Sequence, residues 1–117
     1  MVEMESAKSV MEPIAWIFQM LTGLVTILLI TLHFYVTHMT SHEALKYAEV
    51  VSRVAQPEFK AMYAALLLIV SFHAFNGLRA ILLDTNAGMR GRKTVNALTT
   101  LAFLLAFVYG LYLLFSI

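Results

Sequence analysis

The stretch Phe72-His73-Ala74-Phe75-Asn76-Gly77-Leu78-Arg79-Ala80-Ile81-Leu82-Leu83-Asp84 sets a histidine, an arginine and an aspartate in a segment otherwise apolar enough to cross a bilayer. Ionisable groups at such a place cost about 2.5 to 3.5 kcal/mol each on insertion scales, so they normally face a partner, a cavity or a bound group. Residues separated by four, seven or eleven positions return to one face of a helix, which places His73, Gly77, Ala80 and Asp84 together. Below the histidine this face carries the small residues Gly77 and Ala80, which would let something broad and flat lie close to the backbone. A porphyrin has that shape. Arg79 lies off this face, but its long stem can carry the guanidinium toward a carboxylate.

The rest of the chain has the composition of a membrane protein. Of 117 residues, 61% are apolar and 13% charged, which leaves no room for a water-soluble catalytic domain. Three stretches without Asp, Glu, Lys or Arg, at 13–42, 61–78 and 94–117, meet or approach the roughly 20 helical residues that a hydrocarbon core requires. The sequence predicts an all-α integral membrane protein with three transmembrane helices. Its expected layout is an N-terminal arm at 1–13, helix one at 14–38, a loop with a short surface helix at 39–60, helix two at 61–84, a loop at 85–93 and helix three at 94–117. The first apolar run is too long for a signal-peptide core and is expected to be retained. Without cysteine the chain offers no thiolate ligand for an iron-sulfur cluster, and nothing in it resembles a basic nucleic-acid surface.

Helix one is expected to open with Pro13 in its first turn and Trp16 as an interfacial anchor. Gln19, Gly23, Thr26, Ile30, His33 and Thr37 form one stripe suited to contact with another helix. His33 in that stripe is open to two readings, a packing histidine or a second ligand like His73, whereas His38 and His42 read as solvated. Helical rise puts His33 and His73 roughly 10 Å apart along the membrane normal, too far to share one metal ion. In the loop, Thr40 and Glu43 fit a capping box, Ala44, Leu45, Ala48, Val51 and Ala55 an apolar edge, and Pro57 a stop. The second loop carries Arg90, Arg92 and Lys93, which favours the cytoplasmic side and so a cytoplasmic N-terminus and an external C-terminus. In helix three, Ala102, Ala106 and Gly110 make a packing seam, with Tyr109, Tyr112 and Phe115 as an aromatic belt at the outer end.

The pattern His-x-x-x-Gly-x-Arg-x-x-x-x-Asp, here His73, Gly77, Arg79 and Asp84, resembles the second helix of the cytochrome b membrane anchors of succinate dehydrogenases and fumarate reductases. The length and three-span layout agree, so the resemblance covers nearly the whole chain. It implies a haem b-binding anchor subunit of succinate:quinone oxidoreductase in a prokaryotic plasma membrane. Such an anchor tethers a flavoprotein and an iron-sulfur subunit, which carry the flavin and the clusters, and helps pass electrons to membrane quinone. The succinate chemistry resides in those partner subunits. By the same resemblance His73 and His33 are haem iron ligands, Gly77 lies against the haem and Arg79 meets a propionate. One or two haems would be shared with a second membrane anchor, which supplies the opposing histidines and completes the helical bundle. For the quinone, Trp16, Gln19 and Asp84 are the candidates. Many of these anchors have His-Arg-x-Thr-Gly in helix one; here Thr22 and Gly23 match while Gln19 and Met20 replace the first pair. In some a tyrosine follows the second-helix aspartate, where this chain has Thr85, which points to a quinone pocket formed mainly by the other anchor. The alternatives are a cytochrome b subunit of another quinone-linked dehydrogenase, and a haem-free structural membrane subunit.

Overall fold

The computed structural model describes the backbone of residues 2–117 and the side chains of residues 12–117. Five α-helices follow one another: α1 (Val2–Phe34), α2 (Tyr47–Val54), α3 (Pro57–Leu83), α4 (Asn86–Arg90) and α5 (Arg92–Phe115), and no strand occurs among the described residues. Three segments of 28, 27 and 24 residues, Glu12–Met39, Pro57–Leu83 and Arg92–Phe115, are long and apolar enough to cross a bilayer. At about 1.5 Å of rise per residue each exceeds the roughly 30 Å of a hydrocarbon core.

The distribution of side chains is that of a protein whose solvent is lipid. Leu24, Ile27 and Leu105 point outward at 63–66% exposure, while the buried residues of the spans are Thr37, Ser71 and Thr99. Hydrocarbon gives no reason to hide leucine, whereas small hydroxyl residues let helix backbones approach and return their hydrogen bonds to their own helix. Thr99 Oγ1 donates to the Val95 carbonyl at 2.8 Å, and Thr37 Oγ1 to that of His33 at 2.8 Å. The expected stripe on α1 is turned inward at Gln19, Gly23, Thr26, His33 and Thr37, but Ile30 is 47% exposed and Leu29 takes its place.

Helix α3 is the centre of the arrangement, packing along both α1 and α5, which have little direct contact with each other. The α3–α5 seam closes at Gly110, where an added Cβ would lie 2.5 Å from Leu67 Cδ2. Tyr109, Tyr112 and Phe115 are exposed on the far end of α5, as an interfacial belt requires.

Several element boundaries differ from the expected ones. Helix α1 is described from Val2 and runs through Pro13, so the segment 2–13 joins the first span without a break. Its Glu, Met, Ala and Lys residues are good helix formers, and Pro13 removes one backbone hydrogen bond without ending the helix. Beyond Phe34 the chain winds into a π-helical turn, Tyr35–Met39. In the loop between the first two spans the Thr40–Glu43 capping box does not form: Thr40 Oγ1 donates to the Val36 carbonyl, and Ser41 Oγ accepts from the Glu43 amide. The surface helix starts only at Tyr47, and Pro57 opens α3 at its first turn, where its missing N–H costs nothing. Helix α3 therefore starts four residues earlier than the sequence suggested, and the loop between α3 and α5 folds a short helix capped by Thr85 Oγ1, which accepts from the Gly88 amide at 2.9 Å.

Candidate functional site

His73 sits where α3 crosses α1, half-buried, with its ring against Gly23. A Cβ on Gly23 would lie 3.0 Å from His73 Cε1, so the missing side chain is what admits the imidazole. Two oxygens face its Nδ1: the Gln19 carbonyl at 3.2 Å and Thr22 Oγ1 at 3.3 Å. The carbonyl can only accept. Thr22 donates its own proton to the Phe18 carbonyl at 2.6 Å, so its oxygen is an acceptor toward the ring as well. Two acceptors at Nδ1 place the imidazole proton there and leave the Nε2 lone pair free. That is the tautomer and the backbone-oriented geometry of a metal-ligating histidine.

The backbone around His73 is fixed by two amides. Gln19 Nε2 donates to the His73 carbonyl at 3.0 Å, and Asn76 Nδ2 donates to Gln19 Oε1 at 2.8 Å. A Cβ on Gly77 would lie 2.8 Å from Gln19 Nε2, so the close approach permitted by this glycine is made by the Gln19 side chain. Of the face read from the sequence, His73 and Gly77 turn toward α1, while Ala80 and Asp84 are exposed. Asp84 caps the end of α3, and Trp16 is 63% exposed; Gln19 alone of the three quinone candidates points into the helix interface.

Arg79 forms the second cluster. Its Nε donates to Asn96 Oδ1 at 2.7 Å and its Nη2 to Glu12 Oε1 at 2.9 Å; Arg92 Nη2 donates to the same carboxylate oxygen. One acid thus joins α1, α3 and α5, with two guanidinium groups sharing it. From the sequence Glu12, Asn76 and Asn96 were given no part in a site, and Arg92 was read only as a basic loop residue. The signal was Arg79 itself, since a cation within an apolar helix requires a counter-charge at its own depth.

His33 lies at the other end of the bundle, in edge-to-face contact with Tyr63 at 5.6 Å between ring centres. The offset from Gly23 to His33 on α1 amounts to roughly 15 Å of helical rise, more than the spacing read from the sequence, so the two histidines occupy separate sites. Unlike His73, His33 has an Nδ1 that is buried without a hydrogen-bond partner. It lines a cavity of about 450 Å³ beneath α2, together with Arg53, Tyr63, Leu67 and Leu114. Among the described residues no three His, Asp or Glu side chains converge as a metal site, so any metal bound here needs ligands from elsewhere.

A family model described as succinate dehydrogenase/fumarate reductase transmembrane subunit matches residues 6–113. The chain belongs to the succinate dehydrogenase/fumarate reductase transmembrane subunit family. Among relatives, it is 81% identical over 117 residues to the succinate dehydrogenase hydrophobic membrane anchor subunit of Archaeoglobus fulgidus, covering all of both chains. It is 24% identical over 93 residues to the protein of the same description from Thermoplasma acidophilum, covering 79% of this chain and 76% of the other. Within this transmembrane subunit, the family match runs from the helical segment before Pro13 almost to the end of α5. It therefore includes the His73 site and the Arg79 cluster, and the cavity beside His33 except for Leu114 and Ile117.

Proposed function

We propose that this chain is a haem b-binding membrane anchor of a succinate:quinone oxidoreductase, with His73 as an axial ligand through Nε2. The observation that carries the reading is the pair of acceptors at His73 Nδ1, the Gln19 carbonyl and Thr22 Oγ1, which orient the ring and keep the other nitrogen unprotonated. A b-type haem held there would relay single electrons toward quinone. Gln19 and Asn76 hold the ligand's backbone, and Gly23 gives its ring room. Arg79 and Arg92 share the single carboxylate of Glu12, so this end of the bundle keeps a surplus positive charge suited to a propionate.

A second histidine for the same haem would come from a second membrane anchor, since His33 lies roughly 15 Å of helical rise away from the His73 site. The basic segment Arg90, Arg92 and Lys93 supports a cytoplasmic position for the His73 end in a prokaryotic plasma membrane. The iron-sulfur and flavoprotein subunits dock at that face and carry out the succinate chemistry. The quinone lies largely against the other anchor, because Gln19 and Met20 stand where many anchors of the family have histidine and arginine, and Thr85 where some have tyrosine.

A second reading, a haem-free structural subunit, is favoured by the interhelix hydrogen bond that already engages the His73 ring. A reduced-minus-oxidised visible spectrum of the gently solubilised complex, with haem counted per copy, separates the two. A low-spin b-type signal lost in His73→Ala supports the ligand; a signal unchanged in that variant, or no haem in the native complex, overturns it. About two haems per copy would bring His33 in as a second ligand.

A further inference from the structure

The cradle of the His73 ring is built from uncharged oxygens. Its two acceptors at Nδ1, the Gln19 carbonyl at 3.2 Å and Thr22 Oγ1 at 3.3 Å, are neutral, and among the described residues no carboxylate lies within ion-pair distance of the ring. A carboxylate in this position would pull on the Nδ1 proton and give a metal-bound imidazole part of the character of an anion. Two neutral oxygens at these distances pull on it far less.

The two acceptors differ in what else they do. The Gln19 carbonyl belongs to the backbone of α1, so no change of side chain removes it. Thr22 Oγ1 has a single proton, and the 2.6 Å contact with the Phe18 carbonyl takes it, which commits the hydroxyl oxygen to accepting from the ring. Its neighbour Gly23 gives the imidazole the room to reach that oxygen. Among the described residues Thr22 is the one side chain with a polar atom on the His73 ring. His33 has no equivalent, since its Nδ1 is buried without a partner.

We propose that Thr22 is a positioning residue that tunes the electron affinity of a haem held on His73. The inference rests on the ligand reading given above. The hydroxyl acts through the imidazole: by accepting from Nδ1–H it makes Nε2 the stronger electron donor, which favours oxidised iron. Exchanging the hydroxyl for a methyl leaves Nδ1–H to the Gln19 carbonyl alone and favours reduced iron, with the ligand unchanged.

The test is a redox titration of the native complex followed by visible absorption, with the haem on His73 defined as the transition that disappears in His73→Ala. Thr22→Val keeps the size of the side chain and loses the acceptor. It is expected to raise the reduced-to-oxidised ratio at a given potential about threefold, an upward shift of about 30 mV for one electron and the size of one net neutral hydrogen bond. Thr22→Ser, which keeps the hydroxyl, is expected to titrate as the wild type. So is Leu21→Val, at the exposed neighbouring position. Should Thr22→Val shed the haem, Thr22→Ala is read against Thr22→Ser in its place. A His73-dependent transition that stays in place or moves downward without the hydroxyl overturns the proposal and leaves the ligand reading standing, as does a Thr22→Ser shift as large as that of Thr22→Val. A complex in which no transition depends on His73 fails at the ligand and takes the proposal with it.

Discussion

Asn76 and Gln19 meet across the α1–α3 crossing, with Asn76 Nδ2 donating to Gln19 Oε1 at 2.8 Å, and Gln19 in turn donates to the backbone of His73. The candidate ligand is therefore held by a relay that begins one helical turn further along its own helix and passes through α1. Replacing Gln19 by leucine keeps the volume but removes both ends of the relay. Asn76 is then left with the Ala15 carbonyl at 3.4 Å. Gln19→Leu is expected to lower stability in mixed micelles by about 1 kcal/mol, a typical size for a polar contact between membrane helices. If haem binds at His73, the same variant broadens its low-spin signal while leaving the ligand in place.

The two glycines beside this relay should respond differently to alanine. At Gly77 the added methyl meets the end of the flexible Gln19 side chain, which can withdraw at the expense of its hydrogen bonds. At Gly23 it meets the imidazole of His73 itself, held by two acceptors. Gly77→Ala is expected to cost about 1 kcal/mol in unfolding measurements, and Gly23→Ala about 1 to 3 kcal/mol with a displaced ring. An equal, negligible cost for both would show that α1 and α3 separate easily here.

Much of the fold was legible because lipid imposes a simple rule. Runs without charge are spans, and the small residues within them, Gly23, Ala106 and Gly110, mark where helices touch. What the rule cannot supply is which long side chain fills the space beside a small one. Gly77 read as a bed for a flat ligand, yet Gln19 from another helix occupies that space, a tertiary pairing with no local sequence signature. The boundaries at Val2 and Pro57 differ for another reason: Pro13 was read as the opening of a helix and Pro57 as the end of one, whereas α1 runs through Pro13 and α3 opens at Pro57. The role of Glu12 lay beyond reach until α1, α3 and α5 were placed together, although the cation it neutralises was conspicuous from the start.

The α3–α5 seam offers a test by paired substitutions. Gly110→Ala pushes a methyl into Leu67 and is expected to destabilise by about 1 to 3 kcal/mol. Leu67→Ala alone loses packing. Together the two should cost less than their sum, because the shortened side chain vacates the space that the new methyl needs. Strict additivity in a double-mutant cycle would mean that the helices shift instead of repacking.

Glu12→Gln should weaken the inner end of the bundle more than any other change to a partly exposed carboxylate in this chain, since it leaves both Arg79 and Arg92 without their acid. The expected cost is about 1 kcal/mol, moderated by solvent because Glu12 is 44% exposed. Arg92→Gln, which leaves the Arg79–Glu12 pair intact, should cost less. Unfolding midpoints in mixed micelles rank the two.

The shared carboxylate also bears on how the chain is made. Ribosomes deliver α1 first, so Glu12 reaches the membrane surface before either guanidinium exists. Arg79 arrives with α3, but Asn96 and Arg92 emerge only with the last helix. The inner clasp therefore cannot close until the final span has been delivered. A nascent chain stopped after α3 leaves Arg79 with half of its ligands in an apolar setting, a state that membrane quality control can distinguish from the finished subunit.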